Sequence, residues 1–165
     1  VTPLPAPLGD GAFVAWRLDQ AVHRGSWDSG IGAATAGGRW NSAGTHAVYC
    51  ALDPATAILE VAVHVGFGDL DRVPRVLTSL SVLAAASVHV VNPDDVPNPN
   101  WLRPGRPSAN QQAFGDALLA AHGMFVIPSA VSSRSWNFVF LTRRPSGIYA
   151  LRDQERFALD TRLAS

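Results

Sequence analysis

Only two stretches of this chain have the length and the end signals of a helix able to cover a sheet. The first begins at Asp53-Pro54, a capping residue followed by the helical position that tolerates proline, and is closed by Gly66 or Gly68. The second starts with the Ser108 and Gln111 spacing of a capping box and runs through about His122 to Gly123. Around them lie short apolar runs that read as strands: Phe13 to Leu18, His46 to Ala51, Arg75 to Leu83, Ser87 to Val91, Met124 to Ile127 and Asn137 to Thr142. A last strand or hairpin is expected around Ile148 to Leu151 and Phe157 to Leu159. Helices so few and so unevenly spaced do not build a regular parallel sheet. The pattern predicts a mixed α+β fold of short strands with two main helices.

A chain of 165 residues, 47% of them hydrophobic, is large enough for one compact domain with its own core and cramped for two. Residues 1–12, with Pro3, Pro5 and Pro7, read as an extended N-terminal arm, and residues 13–165 as the domain. Gly30, Gly32, Gly37 and Gly38 mark a permissive loop, without the strand-turn-helix spacing of a dinucleotide fingerprint. Between Asn92 and Pro107 five prolines, with Trp101, Arg103 and Arg106, impose a long loop.

All thirteen basic residues are arginines, and they balance thirteen acids to give zero formal net charge. Broad electrostatic binding to nucleic acid or to an anionic membrane is therefore not expected, although a local arginine cluster could hold one anionic ligand. The single cysteine, Cys50, excludes an internal disulfide and a cysteine-rich zinc site. The five histidines stand far apart and form no recognised metal-ligand pair, so no metal is expected. The opening residues lack the pattern of a signal peptide, and no apolar run approaches the roughly 20 residues that cross a bilayer, so a cytoplasmic location is expected.

The chain holds only two glutamates, and one of them, Glu60, sits in the aliphatic run Ala57-Ile58-Leu59-Glu60-Val61-Ala62-Val63. A carboxylate placed there costs desolvation and asks for a reason. Arg39, twenty-one positions earlier, is presented from Gly37-Gly38 ahead of Trp40-Asn41, and Arg17 lies on the first strand. Two guanidiniums from separate segments suit a diphosphate, a helical carboxylate suits positive charge developing on a sugar carbon, and Tyr49 suits a heteroaromatic ring. Each residue also has an ordinary reading: Arg39 as an ion pair with an aspartate, Thr56, Glu60 and His64 as the solvent face of a helix, Tyr49 as a core residue and Ser129 as a turn residue after Pro128. No Gly-x-Ser-x-Gly elbow supports a serine hydrolase, and no activating pattern surrounds Cys50.

The order Trp16-Arg17, Gly37-Gly38-Arg39-Trp40-Asn41, Val48-Tyr49, Ala57-Ile58-Leu59-Glu60-Val61 and Ile127-Pro128-Ser129-Ala130-Val131, continuing to Asn137 and Phe157 to Leu163, resembles the RES domain family. That family is named for an arginine, a glutamate and a serine. The resemblance implies an ADP-ribosyltransferase-like fold and a toxin of a bacterial toxin-antitoxin pair that degrades NAD+ by hydrolysis or phosphorolysis. NAD+ is then a substrate, with no cofactor and with inorganic phosphate as a candidate co-substrate. Arg17 and Arg39 would contact the NAD+ phosphates or ribose, Tyr49 the nicotinamide side and Glu60 the reacting ribose, while Ser129 would complete the pocket wall. An arginine beside Glu60 would be needed to keep it ionised.

The same resemblance implies an Xre-type helix-turn-helix antitoxin as partner, and is compatible with a homodimer inside a larger complex. Mono-ADP-ribosylation of a host protein is the alternative use of such a pocket. A non-catalytic nucleotide-binding module is a third reading, and RNA cleavage is disfavoured by the absence of net positive charge.

Overall fold

The computed structural model describes residues 13–103, 105–142 and 147–163. The N-terminal arm expected over 1–12 lies outside the described residues. In chain order the elements are β1 (Phe13–Gln20), α1 (Ile31–Ala36), β2 (Ala47–Ala51), α2 (Pro54–Val65), β3 (Arg75–Val82), β4 (His89–Val90), α3 (Ala109–His122), β5 (Met124–Pro128), β6 (Trp136–Leu141) and β7 (Tyr149–Phe157), with short 3-10 turns between several of them. The strands form one sheet in the order β4-β5-β6-β2-β1-β3-β7. Neighbours run antiparallel except β4 and β5, which are parallel. The expected α+β fold is the one observed.

Both main helices start where their end signals place them. Asp53 caps α2 by accepting the Thr56 backbone N–H at 2.8 Å and the Thr56 hydroxyl at 2.7 Å, and Gly66 closes the helix onto the Ala62 carbonyl. In α3 the Ser108 hydroxyl accepts from Gln111 N–H at 3.2 Å. The Gln111 side chain does not return to Ser108 as a full capping box would. Its amide turns to Asn98 and to the Trp101 carbonyl, tying the proline-rich loop to the helix. Asp53→Ala removes both cap bonds at the start of the helix that carries Glu60, and is expected to lower unfolding free energy by about 1–2 kcal/mol. A urea unfolding midpoint unchanged from wild type would contradict that role.

Two expectations need correcting. The glycine-marked segment is not wholly loop, because Ile31–Ala36 closes into the short helix α1. The C-terminal region takes the strand alternative and not the hairpin, but the strand Tyr149–Phe157 also runs through residues 152–156, which the expected segments left out; it pairs with β3 along its length and carries a bulge opposite Ser79 and Leu80.

Packing divides the interior into three parts. One apolar cluster, including Phe13, Ala15, Val48, Cys50, Leu80, Val126 and Phe138, lies on one side of the sheet. Residues that alternate with these along the strands point the other way, and they fall into two separate groups. Leu18, Leu77 and Trp16 pack beneath α2 with Ile58, Val61 and Ala62, while Trp40, Phe125, Ile127 and Val139 pack beneath α3 with Leu119 and Phe114. The two helices thus cover different halves of the sheet.

Candidate functional site

Between those halves the sheet parts. β1 and β2 are neighbours but pair only through Trp16 and Ala51, whereas β1 pairs with β3 from Phe13 to Gln20. Parting leaves strand carbonyls without ladder partners, and such groups are costly unless another donor reaches them. Arg17 does so for one of them, its Nη1 donating to the Tyr49 carbonyl at 2.9 Å while its Nε donates to Asp19 at 2.7 Å. A cleft of about 1020 Å³ opens here, lined by Arg17, Arg39, Tyr49 and Glu60 among others. Its size is at the upper end of the range of about 300–1,000 Å³ typical of small-molecule sites.

Glu60 is half-buried on α2 and lines this cleft. Its Oε1 accepts two hydrogen bonds, from Ser129 Oγ at 2.8 Å and from Asn137 Nδ2 at 2.6 Å. Ser129 sits at the end of β5, wholly buried, and its oxygen also accepts the backbone N–H groups of Val131 at 3.2 Å and Ser132 at 3.3 Å. A hydroxyl has one proton to give. With two backbone donors on the oxygen, that proton is directed to Glu60. Oε2 takes no hydrogen bond from any described residue, so one oxygen is clamped and the other is free to meet a ligand.

Arg39 is delivered by a tightly braced turn. Gly38 N–H donates to the Asn41 carbonyl at 2.9 Å, and the Asn41 side chain donates to the carbonyls of Ala33, Ser42 and Thr45. The Tyr49 hydroxyl donates to Asn41 Oδ1 at 2.6 Å and accepts Trp40 N–H at 3.0 Å. A Cβ at position 38 would fall 2.5 Å from that hydroxyl, so only glycine fits. From α3, Asp116 accepts from Ser42 and Thr45, and Gln112 donates to the Gly38 carbonyl at 2.9 Å. Arg39 itself spends Nη1 on the loop carbonyls of Trp101 at 2.9 Å and Arg103 at 3.4 Å.

Burial raises the Tyr49 hydroxyl pKa well above the usual phenol value; the Trp40 N–H opposes this, Asp116 and Glu60 add to it, and Arg39 opposes it. Tyr49 therefore stays a neutral donor at physiological pH. Arg39, Tyr49 and Glu60 all line the same cleft. Burial also pushes the Cys50 thiol up to about 12, the nearby Arg17 only partly offsetting it, which leaves this cysteine an unreactive core residue.

The structure thus brings Arg17, Arg39, Tyr49 and Glu60 to one cleft, and corrects three expectations about them. Ser129 is not part of the cleft wall: it lies behind Glu60 and holds it. No arginine pairs with Glu60 among the described residues; Arg17 and Arg39 are engaged elsewhere, and two neutral donors meet the carboxylate instead. The Thr56, Glu60 and His64 stripe is not a solvent face either, since Thr56 is buried and only His64 is exposed. Tyr49 satisfies both readings, with a fully bonded hydroxyl and a place in the lining.

Other parts of the site carry no local sequence signal. Asn137 and Asp116 lie 77 and 74 residues from the groups they hold, and nothing in their neighbourhoods announces it. Arg106, Gly105 and Pro107 of the proline-rich loop also reach the cleft, and the five prolines marked that segment only as a loop. Among the described residues no group of three or more His, Cys, Asp or Glu side chains could hold a metal ion, and His89 and His122 stack on each other at 3.9 Å. No helix among them is long and apolar enough to cross a membrane.

Comparison with known proteins bears on the fold and the family. A chain in the crystal structure of the M. tuberculosis MbcT-MbcA toxin-antitoxin complex superposes with a TM-score of 0.67 over 93% of this chain and 89% of that chain, at 21% sequence identity. It establishes the likeness of fold. "Toxin Res" of Pseudomonas putida is 31% identical over 154 residues, 92% of this chain and 99% of its own length. "Toxin Res" of Photorhabdus laumondii is 30% identical over 124 residues, 72% of this chain and 75% of its own. The "Prs ADP-ribosylating toxin" of a Sphingobium species is 37% identical over 86 residues, 50% of this chain and 53% of its own. The RES domain family model matches residues 14–160. Spanning nearly the whole described fold and every residue of the cleft named above, that match makes this chain a member of the RES domain family.

Proposed function

We propose that the chain cleaves the nicotinamide-ribose bond of NAD+, acting as the toxin of a toxin-antitoxin pair. The observation that carries this reading is the half-clamped carboxylate of Glu60. One oxygen is fixed by Ser129 and Asn137, and the other has no hydrogen-bond partner among the described residues, on the wall of a cleft that two arginines and a tyrosine also line. In NAD+ the nicotinamide is already cationic and departs as a neutral molecule, taking the bonding electron pair with it. The ribose carbon becomes oxocarbenium-like, and a fixed carboxylate oxygen stabilises that charge without having to reorganise. Water completes a hydrolysis by adding to this carbon and losing a proton; inorganic phosphate in its place completes a phosphorolysis.

In this reading Arg17 and Arg39 contact the pyrophosphate or ribose, and Tyr49 lies on the nicotinamide side. Among the described residues Arg39 Nε and Nη2 meet no acceptor once Nη1 has served the loop carbonyls, which leaves both to substrate. Arg39→Ala is expected to raise KM for NAD+ about tenfold or more, with a smaller effect on kcat, because hydrogen bonds to charged groups are worth about 1.5–3 kcal/mol. Steady-state kinetics check it, and an unchanged KM would remove Arg39 from substrate capture.

Transfer of ADP-ribose to a protein is the second reading, favoured by the name of the Sphingobium relative. Incubation with NAD+, with and without phosphate, followed by mass analysis separates the outcomes. Free ADP-ribose indicates hydrolysis, ADP-ribose bearing an extra phosphate indicates phosphorolysis, and a modified protein indicates transfer. An Xre-type helix-turn-helix antitoxin is the proposed partner, with the cytoplasm as the proposed compartment. A homodimer within the larger complex belongs to the same proposal.

A further inference from the structure

Asn137 carries a buried polar atom with no partner among the described residues, an arrangement that costs stability. It lies on β6, only 8% exposed, and the atom is its Oδ1. The amide cannot turn over to relieve this, because its Nδ2 donates to Glu60 Oε1 at 2.6 Å and a turned amide would set one oxygen against another. A leucine of similar size would bury without orphaning a carbonyl, on a strand flanked by Trp136, Phe138 and Val139, all buried. Packing therefore does not account for an asparagine here. What it supplies and leucine does not is a polar group on the cleft wall and, through Nδ2, a second donor on the same oxygen that Ser129 holds.

One hydrogen bond restrains a carboxylate about its last torsion less tightly than two do. Two donors converging on Oε1 from β6 and from the end of β5 fix the plane of the carboxylate, and so fix where Oε2 stands in the cleft. We propose that Asn137 is a positioning residue: it trades fold stability for a fixed aim of the Glu60 oxygen at the ribose, and acts on the reaction only through Glu60. This inference rests on the NAD+ cleavage proposed above.

The test uses Asn137→Leu in wild-type and Glu60→Gln backgrounds, reading nicotinamide release from NAD+ and thermal unfolding. In the wild-type background kcat is expected to fall about tenfold or more, as misplacement of a reacting group does, with KM little changed. The melting temperature is expected to hold or rise. In the Glu60→Gln background the same substitution is expected to cost nothing further, because its route to the chemistry is already broken.

A fall in melting temperature together with kcat would make Asn137 an ordinary structural residue and overturn the inference. So would wild-type kcat in Asn137→Leu, or a further loss on top of Glu60→Gln. Any of these with a cleaving wild type leaves the proposed activity standing. A wild type that releases no nicotinamide defeats both.

Discussion

Glu60→Gln is expected to lower kcat for nicotinamide release by about 10²-fold or more, the scale on which removal of one preorganised electrostatic group acts. Glutamine keeps the shape, and its amide oxygen takes the place of Oε1 between Ser129 and Asn137. The amide nitrogen is then left facing the cleft, which replaces a negative acceptor by a neutral donor at the point where positive charge develops. Stability should change little, since the internal hydrogen bonds survive. Turnover within a few-fold of wild type at saturating NAD+ would remove Glu60 from the chemistry.

Gly115→Ala is expected to destabilise the fold by about 2–3 kcal/mol, although alanine is favoured over glycine in a helix interior by about 1 kcal/mol. The sign is reversed by one close approach. A Cβ at position 115 would lie 2.1 Å from the Trp40 carbonyl oxygen, 2.5 Å from its carbon and 2.6 Å from its Cα. All three are backbone atoms and cannot swing aside as a side chain can. Relief requires moving α3 away from the Gly38–Asn41 turn, stretching the Gln112 and Asp116 hydrogen bonds that brace Arg39. Thermal unfolding should show a drop of about 5–10 °C, with KM for NAD+ rising in the folded fraction. A variant that melts higher than wild type would mean that α3 and this turn are not in contact.

These residues also show what kind of information the sequence holds. The ends of α2 and α3 were legible because Asp53, Pro54, Ser108, Gly66 and Gly123 act locally, within one turn of the helix they start or stop. The short helix α1 was not, since its N-cap is Gly30 with no side-chain hydrogen bond, leaving no start signal. Only the ends of β7 were legible, because Arg152, Asp153 and Glu155 in its middle are exposed on a strand at the sheet edge, held there by backbone pairing with β3 rather than by an apolar face. Edge strands commonly carry such charges, which discourage pairing with other chains.

The candidate site divides along the same line. Glu60 and Arg39 could be singled out because each is conspicuous where it stands, a carboxylate among aliphatic residues and a guanidinium after two glycines. How Glu60 is held could not be read, because its two donors arrive from β5 and β6, 69 and 77 residues away. Ser129 and Asn137 become intelligible only when the sheet brings them under α2. The expected arginine partner of Glu60 failed for a related reason: Arg17 is drawn to the carbonyl exposed where β1 and β2 part, a feature of pairing and not of composition.

The central claim is that a clamped carboxylate, two guanidiniums and a tyrosine around the β1-β2 parting form a site that breaks NAD+ at the nicotinamide. Purified wild-type chain incubated with NAD+ and monitored for free nicotinamide tests it most directly. Release that rises with protein concentration and continues through many turnovers is the predicted result; NAD+ recovered intact after prolonged incubation with folded protein would contradict it.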